Sequence, residues 1–141
     1  MKQTLSNEDR KALVTYRMQR AYDTLKEADY NAEGGLYNIA MNRLYYACYY
    51  AAAAALISIG VSTQSHSAVR TMLALHFVKD GKLEKQHLTT LTLLFHNRQS
   101  SDYDDFIYND KQTFDENRPL AQSCVDALND LLSRMNIAEN V

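Results

Sequence analysis

Residues 44–60 read LYYACYYAAAAALISIG, a stretch that carries no charged side chain. Alanine has the highest helix propensity, and a helix that is apolar on every side is typical of the buried centre of a helical protein. A membrane-spanning helix needs about 20 strongly apolar residues. This stretch is shorter and rich in Ala and Tyr, so it predicts a central core helix whose alanines let neighbouring helices approach closely, and it does not predict a membrane span.

The segments on either side of this stretch predict four further helices. Gly34-Gly35, Gly60 and Asp80-Gly81 interrupt the helical pattern and indicate short connections. Thr113 and Glu116 fit a capping box for the last helix, and Pro119 fits its first turn. The predicted helices span about 7–32, 36–59, 65–79, 83–98, and a last segment that begins between 113 and 119 and ends near 136. The predicted packing stripe of the first helix consists of Leu13, Tyr16, Arg20, Ala21, Leu25 and Ala28. We therefore predict an all-α fold, an antiparallel up-and-down bundle of about five helices that forms a single domain over 1–141.

Composition narrows the class of protein. Of the 141 residues, 46% are hydrophobic, and the net charge is −2. A chain without excess positive charge does not coat nucleic acid non-specifically, although a local RNA site is compatible with it. Cys48 and Cys124 fall in apolar helical patterns and are predicted to be buried, reduced thiols. The N-terminus lacks the apolar segment of a secretory signal, so we expect a cytoplasmic protein.

Two arginines interrupt apolar helical stripes. Arg98 follows Leu91, Leu94 and Phe95 on one face, and Arg43 lies on the packing face of the central helix. A partly buried guanidinium needs a carboxylate, a carbonyl or a bound anion. Arg98 is therefore either a helix-end cation paired with Asp102 or part of a phosphate site. Arg43 is either a structural arginine that links helices or a second anion ligand.

The histidines lack the spacing of a metal site. None of them forms HExxH, and neither cysteine is placed to join them, so we expect no metal and no cofactor. His66 stands at the start of a helix, either as a near-cap residue or as a phosphate ligand. His76 lies on an apolar stripe, whereas His87 and His96 are expected to be partly exposed. The acidic residues between 102 and 110 lack the glycine of a calcium loop and are expected to be solvated.

Three segments in order, NRLYYACYYA (42–51), SHSAV (65–69) and RQSSDY (98–103), resemble the HEPN superfamily. The resemblance is to small prokaryotic members with the layout NRxYYA…H…RxxxDY. It implies a helical bundle that forms a homodimer and brings the fourth-helix arginines into a shared cleft. In family members that cut RNA, an Arg is followed after four to six residues by a His, and the ribose 2′-OH attacks the adjacent phosphate without a metal.

This sequence has Tyr103 where those members have the histidine. Tyrosine, with an ordinary pKa of about 10, is a poor general base. As an endoribonuclease, the toxin of a toxin–antitoxin pair, the protein would place Arg98 on the scissile phosphate and orient the reacting oxygens with Asp102 or Tyr103. As a non-catalytic module it would bind a nucleotide phosphate through Arg98, Arg43 and His66, or a minimal nucleotidyltransferase partner that transfers AMP to Tyr103. Both alternatives stay open at this point.

Overall fold

The computed structural model describes residues 5–103 and 108–139, with side chains described over 5–100 and 108–135. Five α-helices make up almost all of this part of the chain, which contains no β-strand, and the predicted all-α bundle is confirmed. A π-helical turn, Ala74–Val78, continues the third helix. The helices are α1 (Asn7–Glu33), α2 (Tyr37–Ser58), α3 (His66–Leu73), α4 (Lys85–Tyr103) and α5 (Lys111–Glu139).

The first two helices form a hairpin with well-defined ends. The Asp9 N–H donates to Ser6 Oγ at 3.1 Å, which caps the start of α1. At the other end Gly35 has φ +77°, a left-handed conformation that glycine adopts without strain. The chain therefore reverses within a few residues, and α2 packs along α1.

Helix α2 occupies the centre of the bundle, as the uncharged stretch predicted. It packs against each of the other four helices. Its alanines at 40, 47, 51, 52, 54 and 55 have no exposed surface, so the surrounding helices pack close to its backbone. The neighbours contribute a layer of larger apolar side chains, which are Leu25 in α1, Val69 and Leu73 in α3, Leu91 and Leu94 in α4, and Val125, Leu128 and Leu131 in α5. In the part of the chain that is described, no helix combines the length and apolarity that crossing a bilayer requires.

The start of α5 differs from the prediction. The helix begins at Lys111, and Asp110 caps it, because both the N–H and the hydroxyl of Thr113 donate to Asp110 Oδ1 at 2.8 Å. Thr113 is therefore not the cap, and Pro119 lies in the helix interior rather than in its first turn. Pro119 removes one hydrogen bond, to the Asp115 carbonyl. Both residues are exposed, so water can satisfy that carbonyl.

Two expectations about burial were also wrong. Tyr16, predicted to lie on the packing stripe of α1, is 63% exposed, and Met18 is buried instead. His87, predicted to be partly exposed, is only 8% exposed because α5 packs over the start of α4. Cys124 of α5 is buried against the first turn of α4, where its Sγ donates to the His87 carbonyl at 3.6 Å.

The two cysteines are free and buried, as predicted. They come together where α2 meets α5, and Cys48 Sγ also donates to the Ala121 carbonyl at 3.8 Å. The hydrogen bond with Cys124 and complete burial raise the pKa of the Cys48 thiol well above its usual value. Cys48 is therefore an unreactive thiol in its folded surroundings.

Candidate functional site

Four tyrosines of α2 form a continuous aromatic surface. The helical period places Tyr45 and Tyr49 on one face and Tyr46 and Tyr50 on the adjoining face. Adjacent rings are in contact, with centroid distances of 5.2 Å for Tyr45–Tyr46, 5.9 Å for Tyr46–Tyr50 and 6.0 Å for Tyr49–Tyr50. Tyr45 is 1% exposed, whereas the other three rings are half-buried and therefore partly accessible from solvent.

Helix α3 brings His66 onto this surface. The cap formed by Ser65, whose Oγ accepts from the Ala68 N–H at 3.0 Å, fixes the first turn of α3. His66 Nδ1 is hydrogen-bonded with the Tyr45 hydroxyl, and the imidazole lies 4.9 Å from the Tyr49 ring centroid. Which atom donates depends on the imidazole tautomer, and when Nδ1 carries the hydrogen, Nε2 is free to accept a proton.

Two arginines flank the imidazole. The Arg98 guanidinium carbon, from α4, lies 5.2 Å from the Tyr46 centroid and 5.9 Å from that of Tyr45. The Arg70 guanidinium carbon lies 4.2 Å from the Phe95 centroid, and Phe95 is itself in ring contact with His66 at 5.6 Å. These are cation–π distances, so the aromatic rings help to hold both guanidinium groups beside the imidazole.

The charges around His66 set its protonation. Burial, then the positive charges of Arg98 and Arg70, lowers the pKa of His66 from its ordinary value. The imidazole is therefore neutral at neutral pH. The pKa of Tyr45 is raised, mainly because the residue is buried. The Tyr45 hydroxyl therefore stays protonated and can form its hydrogen bond with His66. The site thus combines a neutral imidazole with two permanently charged guanidinium groups.

Arg43 joins the same surface from the α1 side. Its guanidinium carbon lies 5.1 Å from the centroid of Tyr46, the ring that Arg98 also contacts. Nη1 lies 3.7 Å from Glu27 Oε1 in α1, and Nη2 donates to Asn42 Oδ1 at 2.8 Å. Arg43 therefore links α1 to α2, as the structural alternative predicted, and it also lies beside the cluster of His66 and Arg98.

The end of α4 near Arg98 is held by three asparagines. Asn97 Nδ2 donates to Asn109 Oδ1 at 2.7 Å, and the Asn109 N–H donates to Asn38 Oδ1 at 2.7 Å. This network joins α4, α2 and the segment that leads into α5. It fixes the turn from which the Arg98 side chain projects.

Of the predicted site residues, the structure brings Arg98, Arg43 and His66 together. Asp102 and Tyr103 lie in the last turn of α4, but their side chains are outside the described residues. Sequence reasoning missed Arg70 and the role of Tyr45. Arg70 follows His66 by four residues, and this spacing places both side chains on one face of a helix. That spacing could have predicted that Arg70 lies beside His66. Within the described ranges, no group of three or more His, Cys, Asp or Glu side chains is arranged to hold a metal ion.

Comparison with known proteins shows the class of protein. A model of the HEPN domain matches residues 14–135, so the chain belongs to the HEPN family, and the resemblance carried by its three segments is confirmed. A UPF0332 protein of Thermotoga maritima is 26% identical over 92% of this chain and 98% of its own length.

Two proteins of Methanocaldococcus jannaschii are also similar. The one named "Putative toxin MJ0605" is 29% identical over 70% of this chain and 74% of its own length. The other, named "Putative toxin MJ0142", is 29% identical over 62% of this chain and 59% of its own length. The chain is thus a member of a HEPN family in which some relatives are named as toxins.

Proposed function

We propose that this protein is a HEPN toxin that cleaves RNA at the cluster of His66, Arg98 and Arg70. One observation carries the proposal: a neutral imidazole lies between two guanidinium groups on a surface of aromatic rings. Guanidinium groups bind phosphate, and half-buried aromatic rings stack on unpaired bases. The cluster therefore offers RNA both kinds of contact within one short stretch of surface.

The imidazole gives this cluster a chemical role beyond binding. In the tautomer whose Nδ1–H donates to the Tyr45 oxygen, Nε2 of His66 accepts the proton of a ribose 2′-OH. The 2′ oxygen then forms a bond to the adjacent phosphorus, and the bond from phosphorus to the 5′ oxygen breaks. The departing 5′ oxygen takes a proton from water, which leaves a 2′,3′-cyclic phosphate and a 5′-hydroxyl. Arg98 and Arg70 stabilise the negative charge that builds up on the phosphate oxygens.

In this proposal His66 supplies the base that the missing motif histidine provides in other members of the family. Asp102 and Tyr103 follow Arg98 in α4 and are proposed to orient the 2′-OH or the leaving group. We further propose a homodimer in which the two copies of Arg98 face one cleft, and a minimal nucleotidyltransferase as the antitoxin partner. Both of these proposals rest on the family resemblance.

A second candidate is a non-catalytic module. It is favoured by Tyr103, which stands where the RNA-cutting members carry the motif histidine. In this case the Tyr103 oxygen bonds to the α-phosphorus of an ATP bound by a partner nucleotidyltransferase, its proton is lost to solvent, and pyrophosphate leaves. Arg98 and Arg43 then hold the phosphate of the nucleotide. The proximity of both guanidiniums to the Tyr46 ring supports a shared phosphate site.

Incubation of the purified protein with single-stranded RNA in EDTA separates the two candidates. We expect cleavage by the wild type, products that end in a cyclic phosphate, and loss of cleavage in Arg98→Ala and in His66→Gln. Arg134→Ala is the matched control, because Arg134 is an exposed arginine of α5 paired with Asp130. RNA that stays intact, together with transfer of AMP to Tyr103 by a nucleotidyltransferase, would favour the module.

A further inference from the structure

The arginine and tyrosine contacts continue beyond the proposed cleavage site, toward α1. Tyr46, which contacts Arg98, is also in contact with Arg43 and with the ring of Tyr50 at 5.9 Å. The guanidinium carbon of Arg20, from α1, lies 5.4 Å from the Tyr50 centroid. An unbroken series of aromatic and guanidinium groups therefore runs from Arg70 to Arg20 across four helices.

A single carboxylate lies between the two arginines at the α1 end. Glu27 Oε2 is 3.6 Å from Arg20 Nη1, and Glu27 Oε1 is 3.7 Å from Arg43 Nη1. Both separations exceed hydrogen-bond distance, and Oε1 is buried without a hydrogen-bond partner in the described part of the chain. One carboxylate cannot neutralise two guanidiniums, so this group of three side chains keeps a net positive charge.

An open cavity of about 500 Å³ adjoins this group. Tyr30, on its wall, is 77% exposed and presents an uncovered ring. Its lining combines aromatic, cationic and amide groups with one carboxylate, and the residues are Lys26, Glu27, Tyr30, Asn31 and Arg43.

We propose that the α1–α2 edge, through Arg20, Arg43 and the neighbouring tyrosines, binds the phosphates and bases of single-stranded RNA next to the cleavage site. The connection to cleavage rests on the proposed function, whereas RNA binding at this edge does not. The rings can stack only on unpaired bases, because base pairing hides the base faces in a duplex. In the bound state, phosphate oxygens replace the long ion pairs of Glu27 with direct hydrogen bonds from Arg20 and Arg43.

The test measures binding without cleavage. A fluorescent single-stranded RNA with 2′-O-methyl groups lacks the attacking hydroxyl, and its affinity is measured by anisotropy at several salt concentrations. Each phosphate contact contributes about 0.7 to the slope of log affinity against log salt for single strands. We therefore expect Arg20→Ala and Arg43→Ala each to reduce the slope by about 0.7. Arg134→Ala, the exposed arginine on α5, is expected to keep the wild-type slope.

The Glu27→Gln variant is expected to strengthen RNA binding, whereas the two arginine variants are expected to weaken it. It removes a competing negative charge while it keeps the size of the side chain, so RNA should bind more tightly than to the wild type. Damaged folding would weaken binding and cannot produce this gain. Wild-type slopes in both arginine variants would overturn the proposal, as would equal affinity for a duplex of the same sequence. Failure of the wild type to cut unmodified RNA would count against the proposed function alone, because the binding slopes are measured without cleavage.

Discussion

Replacement of Tyr45 by Phe tests the contact on which the chemistry of His66 depends. The ring of Tyr45 is 1% exposed and contacts Tyr46, Tyr49, His66 and Phe95, and phenylalanine retains all of these ring contacts. Only the hydroxyl that is hydrogen-bonded to His66 Nδ1 is lost. The net contribution of one hydrogen bond to stability is about 1 kcal/mol. We expect the free energy of unfolding to fall by about 1 kcal/mol.

For a chain of this size, that loss corresponds to a fall of about 3 °C in the melting temperature. Denaturant unfolding followed by circular dichroism measures it, with Tyr16→Phe, at an exposed tyrosine, as the matched control. A double-mutant cycle with His66→Ala should give a coupling energy of about 1 kcal/mol. RNA cleavage should also fall, because the imidazole loses the group that fixes its orientation. A stability within about 0.3 kcal/mol of wild type and a coupling near zero would refute this account of the Tyr45–His66 contact.

The other predictions concern pH, packing and the proline in α5. The folded pKa values of His66 and His87 lie below the ordinary value of about 6.5, so the unfolded chain takes up protons first and stability should fall as pH drops below about 6.5. Melting curves between pH 7 and 5 should show a shallower fall in His66→Gln and His87→Gln, and identical curves would contradict it. Ala52→Leu should cost about 1–3 kcal/mol or more in urea unfolding because Ala52 has no exposed surface, whereas Ala53→Leu, at a partly exposed site, should cost less. Pro119→Ala restores an N–H inside α5 and should stabilise the protein by about 1–3 kcal/mol, so a lower melting temperature would show that the helix depends on the proline.

Much of the fold could be predicted because it follows from local chemistry. The uncharged, alanine-rich stretch identified the central helix, and the glycines at 34–35 and 60 marked its ends. The errors arose where contacts in the folded chain differ from the sequence pattern. At the start of α5 the sequence predicted a capping box at Thr113, whereas Asp110 caps the helix by accepting from the N–H and the hydroxyl of Thr113. Tyr16 is exposed and Met18 is buried, because the other helices determine which face of α1 is covered, and helical periodicity does not specify this.

The sequence by itself determined that the chain is helical, that its second helix is buried and that arginines interrupt its apolar stripes, because helix propensity and hydrophobic period act over a few residues. Tertiary structure alone decided that His66 meets Tyr45, 21 residues away along the chain, and that arginines from α3 and α4 flank it. The lowered pKa of His66 follows from this packing, since burial and the charges of Arg98 and Arg70 reach the imidazole only when three helices come together.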